Sequence, residues 1–314
     1  MTIKGTGNGL CFLSVLGEDM RSMGNLQRAI RKEMWYLLFI LPGISLFVLA
    51  VVIPLVMGAR YSFTNWDGVS NSFASVGWDN YVKASQDPDF WRALGNTFKY
   101  AIILTLLVNV FSLLLALVLD AFLPLRNLFR TIFFLPSVIS IVLSGFIWSY
   151  NYSTGIPNLL SRFGLDVSSP LGNPKYALFG LILVALWQGI GSPMIIYIAG
   201  LQGIPHELNE SARIDGAGAL KTFRHITLPL LAPSVTINLL LVLTGSLKVF
   251  DLVYVTTNGG PAFSTEVVST YIYRTSFSSF QGGYGMALSM MFFLILVIVT
   301  IVQMSISRRR EVEL

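Results

Sequence analysis

Apolar residues gather along this chain into six long blocks, at 34–58, 97–120, 128–150, 176–201, 231–255 and 284–306. Each block approaches or exceeds the roughly 20 mostly apolar residues that a helix needs to cross a bilayer, so each predicts a membrane-spanning helix. The fold class expected is an all-α membrane protein of six transmembrane helices. An even number of crossings returns both termini to one side. Lys4, Arg21, Arg28, Arg31, Lys32, Arg126, Arg130, Arg213, Lys221, Arg224, Arg308, Arg309 and Arg310 all fall on that side, and they are most of the 21 Lys and Arg residues. The positive-inside rule makes the basic face cytosolic, so the N and C termini are expected inside. Residues 1–33 are then expected to form a cytosolic N-terminal extension and 34–314 the six-helix transmembrane domain. The first block lacks a cleavage site and is too long for a signal-peptide core, so it is expected to remain in the mature chain. The Gly-containing stretch up to Met20 reads as an extension, or as sequence upstream of a start at Met20 or Met23.

Composition agrees with the pattern and removes several function classes. Charged residues are 12% of the 314, against roughly 25% in an ordinary soluble domain. Mean hydropathy is +0.68. The single cysteine, Cys11, leaves no disulfide framework and no zinc cluster, so no metal site is expected. The net charge of +5 marks a cytosolic face and not a nucleic-acid partner. An intramembrane enzyme would need a converging nucleophile and base or a metal cluster, yet His206 and His225 both lie between blocks and the blocks hold no paired acids. An ion-coupled carrier would show an internal repeat and intramembrane carboxylates, and neither is seen.

Between the fourth and fifth blocks runs the polar segment 202–229. Pro205 suits a helix start, and Glu207 sits favourably in the first turn near the positive end of the dipole. The helix is expected to run to Gly216-Ala217-Gly218, where glycine lets the backbone turn sharply, and a second short helix to follow at 219–224. The segment therefore reads as a helix-turn-helix elbow outside the membrane.

Spacing within this elbow carries a resemblance. Glu210-Ser211-Ala212, then Gly216 after three residues, then Ile226, Leu228 and Pro229 after nine more, is similar to the signature of permease subunits of binding-protein-dependent ATP-binding-cassette (ABC) importers, with Ser211 in place of the first alanine. Weaker likenesses at 62–66, 76–81, 90–97, 134–137 and 250–261 appear in the order and spacing of sugar permeases of the maltose-importer first-subunit type. The resemblance implies a type I importer fold and transport, not catalysis. In such proteins the elbow docks into an ATPase, and the residues implied are Glu210, Ser211, Ala212, Asp215, Gly216, Ala217, Gly218, Ile226, Leu228 and Pro229. It also implies a second permease subunit, two copies of an ABC ATPase carrying ATP and Mg²⁺, an external solute-binding protein and a bacterial or archaeal cytoplasmic membrane. The chain has no phosphate-loop motif of its own, so it is expected to bind no nucleotide or other cofactor.

A solute path needs polar or aromatic side chains at membrane depth, where such groups are costly. At about 1.5 Å per residue, Gln188 lies about 18 Å from the outer end of its span and Ser246 about 20 Å from the inner end of its own, so the two can share a level. Trp187, Gln188, Gly189, Ser246, Lys248 and Asp251 are the candidate pathway residues. Gln188 can equally act as an interhelical tie, and Lys248 and Asp251, at i and i+3, can neutralise each other on one helix face.

Overall fold

The computed structural model describes residues 38–120, 125–165 and 168–308. The expectations for the N-terminal extension 1–33 and for the extreme C-terminal basic cluster at 309–310 lie outside the described residues. The chain divides into a unit ending at Arg60 and a larger unit from Tyr61 onward. In the first, the described residues form helix α1, Leu38–Tyr61. Pro54 has no N–H to give, and a π-helical turn at Val48–Val52 lies immediately before its segment, so the helix continues as one span through the proline.

The larger unit is built around α3, Pro88–Asp120, which begins nine residues before the expected block. Its apolar and polar positions follow a helix period with an inverted sense suited to lipid. Thr97, Thr105, Asn109 and Ser112 are buried against other helices, while Ile102, Leu106, Val110, Leu114 and Val118 lie exposed along the other side. In lipid the outward face gains nothing by being polar, and small or hydrogen-bonding residues let helices approach. Asn109 shows this directly. Its Nδ2 donates to the Thr105 carbonyl at 2.8 Å, and its Oδ1 accepts from the Tyr197 hydroxyl at 2.7 Å.

Three of the six blocks are broken helices. The third is α4, Arg126–Val138, and α5, Ile141–Ser161, at 95°; the fourth is α6, Ala177–Gly189, and α7, Gly191–Gln202, at 46°; the fifth is α9, Ala219–Leu230, and α10, Ala232–Leu247, at 67°. A proline lies within two or three residues of each break: Pro136, Pro193 and Pro233. Each lacks an N–H for the carbonyl four residues back and crowds it. The sixth block is the unbroken α13, Gly282–Arg308. A helix pair, α2 at Asp79–Gln86 and α12 at Val268–Tyr273, packs at the Pro88 end of the bundle, and α8, His206–Ile214, lies at the other. Between α10 and α12 lies the short α11, Asp251–Thr256.

At the Pro88 end, Asp87 ties three elements together. Its Oδ2 accepts from the Tyr284 hydroxyl at 2.6 Å and from the Tyr271 hydroxyl, while Oδ1 accepts from the Asp89 amide at 2.9 Å. Burial works against the charge, but these donors outweigh it and hold the carboxyl below its ordinary value. The stabilisation is therefore fully present above the unfolded value of about 3.9 and disappears as pH falls through the lower folded value. Asp87→Asn should lower the thermal unfolding midpoint at pH 7, and the gap from the parent should close as unfolding is measured at successively lower pH below about 4. Tyr197→Phe, which strands the Asn109 oxygen, should cost about 1 kcal/mol in denaturant unfolding in micelles.

Candidate functional site: elbow and intramembrane cavity

The elbow begins where Pro205, in extended conformation (φ −57°, ψ 131°), caps α8; it precedes the helix and is not its first residue as expected. Termination of α8 follows from Gly216, at φ +73°, where a side chain would be strained. The Gly216 amide donates to the Arg213 carbonyl at 3.1 Å and the Ala217 amide to the Ala212 carbonyl at 2.9 Å. This is the paired closure of a Schellman motif, which satisfies carbonyls that a helix end would leave free. The second arm is longer than the expected 219–224. A π-helical turn at Phe223–Thr227 leads into Pro229 without ending the helix, so α9 reaches Leu230 and the bend falls at Leu231.

Within the elbow, Ala212 is buried, whereas Glu210, Ser211, Asp215, Gly216 and Gly218 are exposed and Ala217, Ile226 and Pro229 are half-buried. Glu210 forms no ion pair with Arg213; the ion pairs among the described residues are Arg92–Asp89 and Arg274–Glu266. Flanking the turn are two apolar side chains that the sequence reading passed over, Ile214 at 86% exposure and Leu220 at 80%. Their signal was present in the chain: large aliphatic residues on either side of a glycine turn, in an otherwise polar segment. Together with the Glu210 carboxylate they give the tip a mixed apolar and acidic surface.

A cavity of about 340 Å³ opens among α3, α5, α6, α10 and α11. It gathers five of the six candidate pathway residues: Gln188, Gly189, Ser246, Lys248 and Asp251. Trp187 is not on its wall and instead packs edge-on against Trp148, with centroids 5.7 Å apart. Tyr100, Ile141, Gly245 and Phe250 also line it and were not among the candidate pathway residues. Tyr100 carried a legible signal, a phenol within an apolar block; the others are apolar and carried none.

Lys248 and Asp251 do not share a helix face. α10 stops at Leu247, Lys248 caps it (φ −94°, ψ 13°), and Phe250 (φ −138°, ψ −61°) leaves helical geometry before Asp251 opens α11. The amides of Lys248 and Val249 fold back onto Gly245 and Ser246 at 3.2 and 3.3 Å, tightening the last turn until it ends. Both charged side chains line the cavity without pairing, and Asp251 sits in the first turn of α11, where the dipole favours an anion. A cavity with one cation, one anion, a serine, an amide and aromatic groups suits a neutral or weakly charged solute rich in hydroxyls.

Residues 92–312 match the family described as binding-protein-dependent transport system inner membrane component. The chain belongs to that family; it is a transport subunit and not an enzyme. It is 33% identical over 293 residues to a probable starch degradation products transport system permease protein of Thermoanaerobacterium thermosulfurigenes, covering 93% of this chain and 100% of that one. A trehalose/maltose transport system permease protein of Thermococcus litoralis is 32% identical over 280 residues, covering 87% and 94%. Among solved structures, a bacterial ABC transporter involved in the import of the acidic polysaccharide alginate matches with TM-score 0.80 and 26% identity, over 91% of this chain and 99% of that one. The type I ABC importer permease fold is therefore established for this chain.

Gly216→Ala should destabilise the elbow by about 1 kcal/mol through its positive φ, read as faster amide hydrogen exchange over 206–217 with the membrane helices unchanged.

Proposed function

We propose that this chain is the permease subunit of an ABC importer that moves a sugar or sugar derivative inward by alternating access. The observation that carries the reading is the layout of the fifth span: α9 belongs to the elbow, and the last turn of α10, with Gly245 and Ser246, and its cap Lys248 lie on the cavity wall. A push on the elbow is thus delivered to the cavity through one helix of 16 residues. The relatives named for starch products and for trehalose/maltose, and the alginate importer, support carbohydrate as the cargo.

In this reading the elbow enters a cleft on a partner ATPase. Ile214 and Leu220 bury there, and Glu210 meets a basic group. The partners are a second permease subunit forming a heterodimer, two ATPase copies that hold ATP and Mg²⁺, and a solute-binding protein on the outer face. One alginate importer structure was obtained in complex with a pentasaccharide-bound periplasmic protein, which supports the last of these for a structural relative. The chain sits in a bacterial or archaeal cytoplasmic membrane with both termini cytosolic. Unpaired Lys248 favours a second reading, in which the solute is anionic, such as a glycerol phosphate ester.

The test is uptake by the complete transporter in liposomes. A labelled oligosaccharide should enter only with internal ATP, and Glu210→Ala or Gly216→Pro should cut uptake at least about tenfold, as expected for loss of a buried charged contact, while the complex still assembles. Full uptake by both variants would refute the coupling assignment. Uptake of glycerol phosphate in preference to any sugar would move the cargo to the second reading.

A further inference from the structure

Two pairs of aromatic residues, each four apart in the chain, meet beside the cavity. Phe250 lines the cavity and caps α11. Tyr254 lies one turn on, its amide donating to the Phe250 carbonyl at 2.9 Å, and the two rings stack with centroids 5.2 Å apart at 15°. Tyr273 ends α12, and Phe277 lies in the π-helical turn Arg274–Ser278 that continues it, their rings 5.2 Å apart. Tyr273 joins the pairs, with its ring 5.5 Å from Phe250 and 5.2 Å from Tyr254. The four rings form one cluster that starts on the cavity wall and ends at Phe277.

Burial does not account for this cluster, since Tyr254 is 39% exposed, Phe277 is 67% exposed, and Phe250 and Tyr273 are half-buried. Lipid does not account for it either. Lys248 and Asp251 are exposed beside Phe250, and Asp251 lies three residues before Tyr254 on the same face of α11, where hydrocarbon would make both charges costly. Nor has this surface the composition of a protein contact, whose centre is depleted of lysine and aspartate. The mounting is firm. Arg274, next to Tyr273, donates twice to the buried Glu266 carboxylate, at 2.9 and 3.0 Å. Beside Phe277, Ser276 packs so closely on Gly285 of α13 that any side chain at that glycine would collide with it. π-Helical turns of this kind occur frequently at functional sites.

We propose that Phe250, Tyr254, Tyr273 and Phe277 form an aromatic subsite for the pyranose rings of an oligosaccharide, continuous with the cavity. A pyranose ring carries C–H groups on its faces and hydroxyls at its rim. Its C–H groups are drawn to the negative face of an aromatic ring, while the two tyrosine hydroxyls give the surface a polar edge. A sugar ring at Phe277 reaches Tyr273 and then Phe250 without leaving aromatic surface, because neighbouring rings are in contact throughout. Such contacts are indifferent to the pattern of hydroxyls, so the cluster responds to the number of rings and the polar groups of the cavity to their identity. The inference rests on the reading of the cavity as a sugar site and adds to it a preference for solutes of several rings.

The test compares uptake of maltose and of maltotetraose by the complete transporter in liposomes, with internal ATP and an unchanged solute-binding protein. Tyr273→Leu and Phe277→Leu, which keep apolar bulk and remove a ring, should each lower the ratio of maltotetraose to maltose uptake about fivefold, the factor expected for one ring contact. Phe277→Tyr, which keeps the ring, should retain the parent ratio. A parent ratio in both leucine variants overturns the subsite, and so does an equal fall for both sugars, which a merely structural role would give. Loss of the second permease subunit from purified Phe277→Leu complexes also overturns it, because the cluster is then a subunit contact. A parent that takes up neither sugar overturns the cargo reading and the subsite with it, so parent uptake alone tells the two failures apart.

Discussion

A carbonyl released inside a membrane span must find a donor within the protein, because lipid offers none. Three spans of this protein are interrupted, and the polar residues within the helices serve that need. Gln188 donates to Ile139, Ser112 to Ile190 and Asn238 to the Pro193 carbonyl, the last at 3.1 Å. Each tie joins two spans; the first two lie at breaks, and the third joins α10 to α7. Without Gln188 the Ile139 carbonyl would be a costly unsatisfied group at the first of these breaks.

The cavity exists because of these interruptions. α5 begins at Ile141, α6 ends at Gly189, and α10 ends before Lys248, so helix ends from three spans converge on one space. Non-helical backbone at membrane depth is tolerated where it is enclosed by protein or borders a polar cavity. The same geometry separates Lys248 from Asp251, which a continuous helix would have brought together. Two charges that would have cancelled remain directed at the space where a solute would stand.

In the proposed coupling, the mechanical connection runs through the fifth span. The elbow is firm because its Schellman closure satisfies the end of α8, and it is exposed at Ile214 and Leu220, where an apolar partner surface would repay the exposure. From Leu231, buried at the bend, α10 extends about 24 Å to the cavity wall. At the far end of the bundle, Asp87 clamps α12 and α13 to the start of α3.

Hydropathy and local chemistry alone determined the six apolar blocks, the glycine turn at 216 and the family signature around it, because each depends on residues close together in the chain. Depth reckoning along ideal helices singled out Gln188 and Ser246, and local sequence added Gly189, Lys248 and Asp251; the fold gathers all five around one cavity. Tertiary structure alone decided where the spans break, which end of Gln188 is engaged, that Trp187 turns toward Trp148, and that Lys248 and Asp251 part company. The donor that reaches the Ile139 carbonyl comes from another span, and no pattern within one segment records that donor's position.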